Sequence, residues 1–340
     1  MPVEIKSLQG RFKFKLQRFQ IEEGDKKRET TYFELTNQFQ EGYISDRLKE
    51  FSSYYSNRLS YKEVEELIQR LTGNRQLSDQ KIRGIVVDKA EELSKEIAKE
   101  VKKSIDKPMP LLNSKVDIYD PAEEEILILD DGIQVKGQKE KRHSSPVSKK
   151  LRINSNIIML QKKGGGFEYT TGVIDKEGEE LVPLEEVVKS KFIEEYGEEK
   201  KALNVVAITD GAKDIRVRLL AIFGIGITII LDWYHLVKKL KEHMSMISRN
   251  KQEKLKHLKY LLHHLWSGMS EEALRYLKTE VKTKNDKKLE ELIRYIEKHR
   301  EEIIDYGRRR EAGKSIGSGR VEKGCDQVIG NRQKKKGMSW

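Results

Sequence analysis

The sequence predicts an α/β protein: a mixed sheet flanked by helices, interrupted by an all-helical insertion and preceded by a mainly helical N-terminal region. Three observations predict it. Between residues 121 and 236, short aliphatic runs of buried-strand type (EEILILDD, LNVVAITDG, ITIILDWYH) alternate with stretches of helical period. Residues 237–312 are rich in Leu, Lys and Glu, have no proline and few glycines, and read as several amphipathic helices. Residues 1–107 carry helix signals over most of their length, and Pro108 and Pro110 follow as a linker.

Taken in order, RFKFKLQRFQ alternates as a strand does, and the tyrosine-rich stretch after it reads as helix. Ser60 and Glu63 then form a capping box, each side chain satisfying an orphan backbone N–H of the other. Val64, Leu67 and Leu71 follow at helical spacing, and Gly73 ends the helix. Ser78 caps a second helix with Gln80, Lys81 and Arg83 on its opening turn. Over residues 60–95 this is the outline of a helix-turn-helix DNA reader, and equally of an ordinary helical hairpin.

In the 121–236 segment, EEILILDDGIQVK is a strand ended by paired aspartates. NSNIIMLQKK and FEYTTGVID form a hairpin about Gly164, Gly165 and Gly166. PLEEVVKSKFIEEYG and KDIRVRLLAIFG are helices; LNVVAITDG and ITIILDWYH are buried strands. Residues 313–340 close the chain with a glycine turn, a short helix and a basic tail.

Composition narrows the function. The chain of 340 residues has a formal net charge of +11, and from Arg308 to Trp340 ten Lys/Arg stand against three acids. A cationic segment of that density favours a nucleic-acid partner over simple solvation. The single cysteine, Cys325, excludes an intrachain disulfide framework and a Cys-rich zinc site. The N-terminus has no signal-peptide core, and the apolar run near Leu219–Leu231 is too short to span a bilayer. We therefore expect a protein with no membrane partner, in a reducing cytoplasm.

Asp131 and Asp210 each end a buried strand before a glycine, so both can project at one rim of the sheet. On a helix starting near Ser318, Val321, Cys325 and Val328 form a buried stripe, and Glu322 lies at its edge. Asp326, one turn on, is the alternative. Three hard carboxylates at one rim suit two divalent cations, Mg2+ or Mn2+, that clamp a phosphodiester. Trp233 and Tyr234 read as core, and His235 as a hydrogen-bonded structural histidine at a strand edge.

DDGIQV, TDGAKDIR, LDWYHL and IGSGRVEKGCDQVIGNRQKKKGMSW, in that order from about Ile126 to Trp340, resemble the transposases of the ISKra insertion-sequence family. The resemblance implies a DDE enzyme with an RNase H-like core, distantly Mutator-like, that hydrolyses and joins DNA strands. It implies Asp131, Asp210 and Glu322 as the acidic triad, and Asp232 and His235 as the D-x-x-H signature beside it. It implies as partners the terminal repeats of its own element and target DNA, bound by a homo-oligomer. Arg320, Arg332, Lys334, Lys335 and Lys336 would hold phosphates, and Gln80, Lys81 and Arg83 would read bases. Lys323 departs from the family pattern, which has serine there, and similar proteins continue past the position of Trp340. A DNA-binding derivative without catalysis, and a nuclease of the same fold without joining activity, are the alternatives.

Overall fold

The computed structural model describes residues 2–23, 26–35, 43–136 and 152–330, which fall into two compact units. Of the described residues, one holds those up to Glu96 with 175–179 and Gly330; the other holds residues 97–174 and 180–329.

The first unit begins with two antiparallel hairpins, β1 (Pro2–Ser7) with β2 (Gly10–Lys15) and β3 (Arg18–Glu23) with β4 (Lys26–Thr31), followed by a single helical turn α1 (Tyr32–Leu35). The expected strand at residues 11–20 is thus broken between β2 and β3, and the region opens on strands before turning helical. Helices α2 (Asp46–Ser56), α3 (Tyr61–Thr72) and α4 (Asp79–Ser104) follow. The Ser60–Glu63 capping box is present, and Gly73 closes α3 with φ +77°. The buried face of α3 is Val64, Glu65 and Ile68, whereas Leu71 is 57% exposed. The stripe is rotated from the expected one because it packs with Ile44, Leu48, Leu77, Ile82 and Ile85 of the neighbouring segments. Buried Glu65 braces the turn: it accepts the Asp79 N–H at 3.0 Å and pairs with Arg75 at 2.5 Å.

The second unit is built on a five-stranded mixed sheet. Its strands are β5 (Ile126–Lys136), β6 (Arg152–Gln161), β7 (Phe167–Thr170), β10 (Val205–Thr209) and β11 (Ile227–Leu231), in the spatial order β11-β10-β5-β6-β7. β10 runs parallel to β5 and β11, and β6 is antiparallel to β5 and β7. A small hairpin, β8 (Val173–Ile174) with β9 (Glu180–Val182), leads into α5 (Leu184–Tyr196), and α6 (Lys213–Phe223) links β10 to β11. Central strands buried on both faces read as unbroken apolar runs, which is why β10 is buried at every residue.

The two faces of the sheet sort residues by parity. Ile126, Ile128, Ile158, Leu160, Val205 and Ala207 pack with α5 and α6. Leu127, Leu129, Ile157, Met159, Val206 and Ile208 pack on the other side with the C-terminal helices. Those are α7 (Trp233–Ile247), α8 (Lys251–Trp266), α9 (Ser270–Thr279), α10 (Asp286–Lys298), α11 (Tyr306–Glu311) and α12 (Gly319–Cys325). Asn250, Asn285 and Asp305 cap α8, α10 and α11 through side-chain oxygens. The helical segment returns to the sheet through Arg309, fully buried, which donates to Glu125, to the Ile118 carbonyl and to the Ser315 carbonyl. No helix among the described residues is long and apolar enough to cross a membrane.

Two strand ends differ from expectation. β5 continues through Asp131 and Gly132 to Lys136, because its lower half keeps pairing with β6. β11 stops at Leu231, and Asp232 caps α7 by accepting the Tyr234 and His235 N–H groups, so His235 lies on a first helical turn and not on a strand edge. Trp233 packs edge-on against Trp266, but Tyr234 is 65% exposed and covers Gly317 rather than entering the core.

Candidate active site

Asp130 and Asp131 are neighbours on β5 and, by the alternation of a strand, face opposite sides of the sheet. Asp130 is buried on the α6 side, where Arg218 grips both its oxygens at 2.9 and 3.0 Å. Burial pushes the Asp130 carboxyl up to about 7, with Arg218 opposing the rise and the charges of Asp131 and Asp210 adding to it.

Asp131 is half-buried on the other side, and no such cation meets it. Continuing the parallel register Leu129↔Ile208 by two places sets Asp131 beside Asp210. Each aspartate is steadied by a backbone N–H just after it: Gly132 donates to Asp131 at 2.8 Å, and Ala212 to Asp210 at 2.8 Å. Burial raises the Asp131 carboxyl above the usual range; Asp210 and Glu322 add repulsion, while the Gly132 N–H and His235 act against it. Three carboxylates from two strands and a distant helix therefore share one electrostatic neighbourhood.

Helix α12 brings Glu322 there. It crosses β5 and β6 at close range, and glycine eases this: a Cβ on Gly324 would stand 2.3 Å from the Tyr169 ring, which would have to move. Val321 and Cys325 are buried, and Glu322, one position round, is exposed. The buried Cys325 thiol is pushed up to about 12, first by burial and then by the nearby negative charge of Asp131. Past Cys325 the helix widens into a π turn, Asp326–Gly330, so a strict 3.6-residue stripe does not continue; Ile329 is buried in this turn, and the side chain of Val328 is outside those described. Asp326 is exposed at the start of that turn.

His235 and Asp232 join the same cluster. Nε2 of His235 lies 3.8 Å from Glu322, and Nδ1 lies 3.7 Å from Asp232 without a hydrogen bond to it. Asp232 raises the affinity of His235 for a proton, burial opposes it, and Asp210 and Glu322 contribute further. Burial by itself would raise the Asp232 carboxyl. His235, acting electrostatically across that gap, and the hydrogen bonds from Ser318 and the His235 N–H instead hold it at about 2. Ser318 contributes both its N–H and its hydroxyl, and the Trp233 N–H donates to the Ile316 carbonyl at 3.1 Å. One carboxylate thus ties the start of the helical segment to the turn that launches α12.

Among the described residues, no three His, Cys, Asp or Glu side chains stand close enough to hold an ion between them as they are. The donor chemistry nevertheless fits a hard divalent cation. All three candidate ligands are carboxylates, and none is ion-paired to Lys or Arg among the described residues. Mg2+ is commonly held by one or two carboxylates together with water and substrate phosphates.

The remaining expected site residues scatter. Gln80, Lys81 and Arg83 are exposed on the opening turn of α4, in the first unit, where the Ser78 hydroxyl accepts the Lys81 N–H at 3.2 Å. Arg320 is exposed on α12, its guanidinium 5.3 Å from the Phe167 ring centre. Arg332, Lys334, Lys335 and Lys336 lie outside the described residues, as does the basic stretch 137–150. Residues that sequence reasoning passed over include Arg218, whose signal was a cation among the buried positions of α6 (Ile215, Leu219, Ile222), and Ser318, hidden in an ordinary glycine turn.

Comparison with known proteins adds little. No family model matches the chain, and no curated protein matches it. Among solved structures it is similar to a Drosophila P element transposase strand transfer complex, with 11% identity and a TM-score of 0.28 over 78% of this chain. The match spans 66% of that protein's chain, just under two thirds of its length. Agreement at that level does not by itself establish a shared fold.

Proposed function

We propose that this protein is a DDE-type DNA transposase of the ISKra kind, and that its second unit is an RNase H-like catalytic core. What supports the reading most is that Asp131, Asp210 and Glu322, far apart in sequence, act on one another electrostatically on one side of a sheet of mixed direction. In order of appearance the strands lie 5-4-1-2-3, with the second antiparallel to the first, and this arrangement supports an RNase H-like core.

Asp131, Asp210 and Glu322 would hold Mg2+ or Mn2+. Bound there, the ions would activate the attacking oxygen and stabilise the leaving one in phosphodiester hydrolysis and strand transfer. The chain's own contribution is placement. β5 and the turn after β10 would set two carboxylates side by side, α12 would present the third, and Asp232 with Ser318 would fix where α12 begins. Burial of Asp131 and repulsion from its neighbouring carboxylates would make the site receptive to cations. Exposed Gln80, Lys81 and Arg83 would meet DNA in the first unit, reading the element's ends, with a homo-oligomer assembled on them. The terminal lysines would add salt-sensitive phosphate contacts.

The test is cleavage and joining of DNA carrying the element's ends, in Mg2+ or Mn2+, by the parent chain and by Asp131→Asn, Asp210→Asn, Glu322→Gln and Asp326→Asn. The first three are expected to lose both activities by a factor on the order of 10³ while still binding DNA. Asp326→Asn is expected to remain near parental. Full activity in Glu322→Gln removes the triad as assigned, and cleavage without joining in the parent makes the protein a nuclease instead.

A further inference from the structure

The helical segment between β11 and α12 does more than separate the second acid from the third. Its α10 ends at Lys298, and the next residue, His299, is 1% exposed yet leaves Nε2 without a hydrogen-bond partner. A buried polar atom left unsatisfied costs stability, which a leucine of similar bulk would avoid. The ring therefore has a role other than filling space.

Its surroundings show which. Nδ1 is 2.6 Å from the carboxylate of Glu302, itself buried, and Glu302 also takes the guanidinium of Arg216 on the first turn of α6. The Glu302 carbonyl accepts the Leu231 N–H at 2.9 Å, which ties the same residue to the end of β11. Tyr295 tilts against the ring, 4.8 Å between centres. Held this way, His299 lies on the backbone of Gly211: a Cβ there would meet His299 Cε1 at 2.9 Å and Nε2 at 3.0 Å on one side, and Leu231 at 2.9 Å on the other. Lys298 donates to the Gly211 carbonyl at 3.3 Å. Gly211 has φ +84°, and Gly211 and Ala212 directly follow Asp210, whose carboxylate the Ala212 N–H steadies.

We infer that His299 is a positioning residue for Asp210. Clamped by Glu302, and together with Lys298, it fixes the Asp210–Ala212 loop from the helical segment. This inference rests on the reading of Asp210 as a metal ligand given above. It makes the segment an integral support of the site: a carboxylate on a three-residue loop holds its direction only if that loop cannot rock, and support of this kind is commonly worth 10–100-fold in metal affinity.

The test uses the full chain with His299→Ala, His299→Asn, Lys298→Met and Asp210→Asn. Hydrogen exchange at Gly211 and Ala212 is measured alongside Mn2+ binding without DNA. His299→Ala is expected to speed exchange about tenfold and to weaken Mn2+ binding about 10–100-fold. His299→Asn, whose amide N–H can still reach Glu302, should stay much closer to the parent. Lys298 is exposed, so Lys298→Met folds regardless; it should shift both readouts the same way by a smaller factor and carries the test if His299→Ala does not fold. Unchanged exchange in His299→Ala and Lys298→Met, or faster exchange with parental Mn2+ affinity, overturns the positioning role. Parental Mn2+ binding in Asp210→Asn instead overturns the metal-ligand reading, and the inference with it. Loss in Asp210→Asn with undisturbed exchange in the other variants sinks the inference alone.

Discussion

Two adjacent aspartates on one strand have opposite fates. Asp130 enters the closed face of the sheet and is matched at once by Arg218, whose Nη1 donates to both its oxygens. Asp131 enters the face covered by the C-terminal helices, where burial and the further carboxylates Asp210 and Glu322 act on it with only a backbone N–H and the charge of His235 in compensation. A charge balanced inside the chain serves the fold. A charge left in repulsion with its neighbours is tolerated where something from outside completes it.

The largest effect that could break this contrast lies on the closed face. Arg218→Leu strands a buried carboxylate and is expected to cost about 3–5 kcal/mol in denaturant unfolding, and Asp130→Leu added to it should recover most of the loss. If Arg218→Leu is nearly neutral, Asp130 is no better matched than Asp131.

Asp232 sharpens the picture from the open face, being a carboxylate satisfied by hydrogen bonds and not by a cation. Its folded value of about 2 lies below the unfolded 3.8. The stability it contributes, at most about 2 kcal/mol, is therefore complete above pH 4 and lost as pH falls through 2. Chemical denaturation between pH 5 and 2 should show this acid-linked loss in the parent and not in Asp232→Asn. Equal slopes in the two would mean the Ser318 tie does not fix its ionisation.

A somewhat smaller effect is expected where α12 meets the sheet. Gly324→Ala presses a methyl group into the Tyr169 ring and should destabilise by about 1–2 kcal/mol, with Tyr169→Ala relieving the clash. An unperturbed melting temperature would show that α12 has room to shift, and Glu322 with it.

The smallest expected change in stability is at Asp131 itself. Asp131→Asn removes a repelled charge, so the melting temperature should hold or rise slightly, while divalent cations lose their stabilising effect on the protein. A fall in stability as large as that of Arg218→Leu would erase the distinction between the two faces.

Much of this was legible in the sequence for local reasons. The apolar runs of β10 and β11 and the periods of α5 and α6 read directly as buried strands and helices. The Ser60–Glu63 capping box and the turn at Gly164–Gly166 are written in residues whose backbone preferences are strong. That Asp131, Asp210 and Glu322 were the carboxylates to watch came from strand-end position, helix phase and family resemblance. Where β5 ends was not legible, because pairing with β6 carries the strand through a glycine that reads locally as a stop.

By itself, then, the sequence determined most of the strands and helices of the second unit and which acids to watch on them, since these depend on each residue and its near neighbours. Only the tertiary structure decided which aspartate of the pair is neutralised. Asp130 and Asp131 are chemically identical and adjacent, and what separates them is the strand's alternation together with Arg218, 88 positions away, arriving on one face only. The same holds for the grip of His299 on Gly211 and the tie from Asp232 to Ser318. Both join groups more than 80 positions apart, and no local propensity encodes a contact that exists only once the sheet and its covering helices have packed.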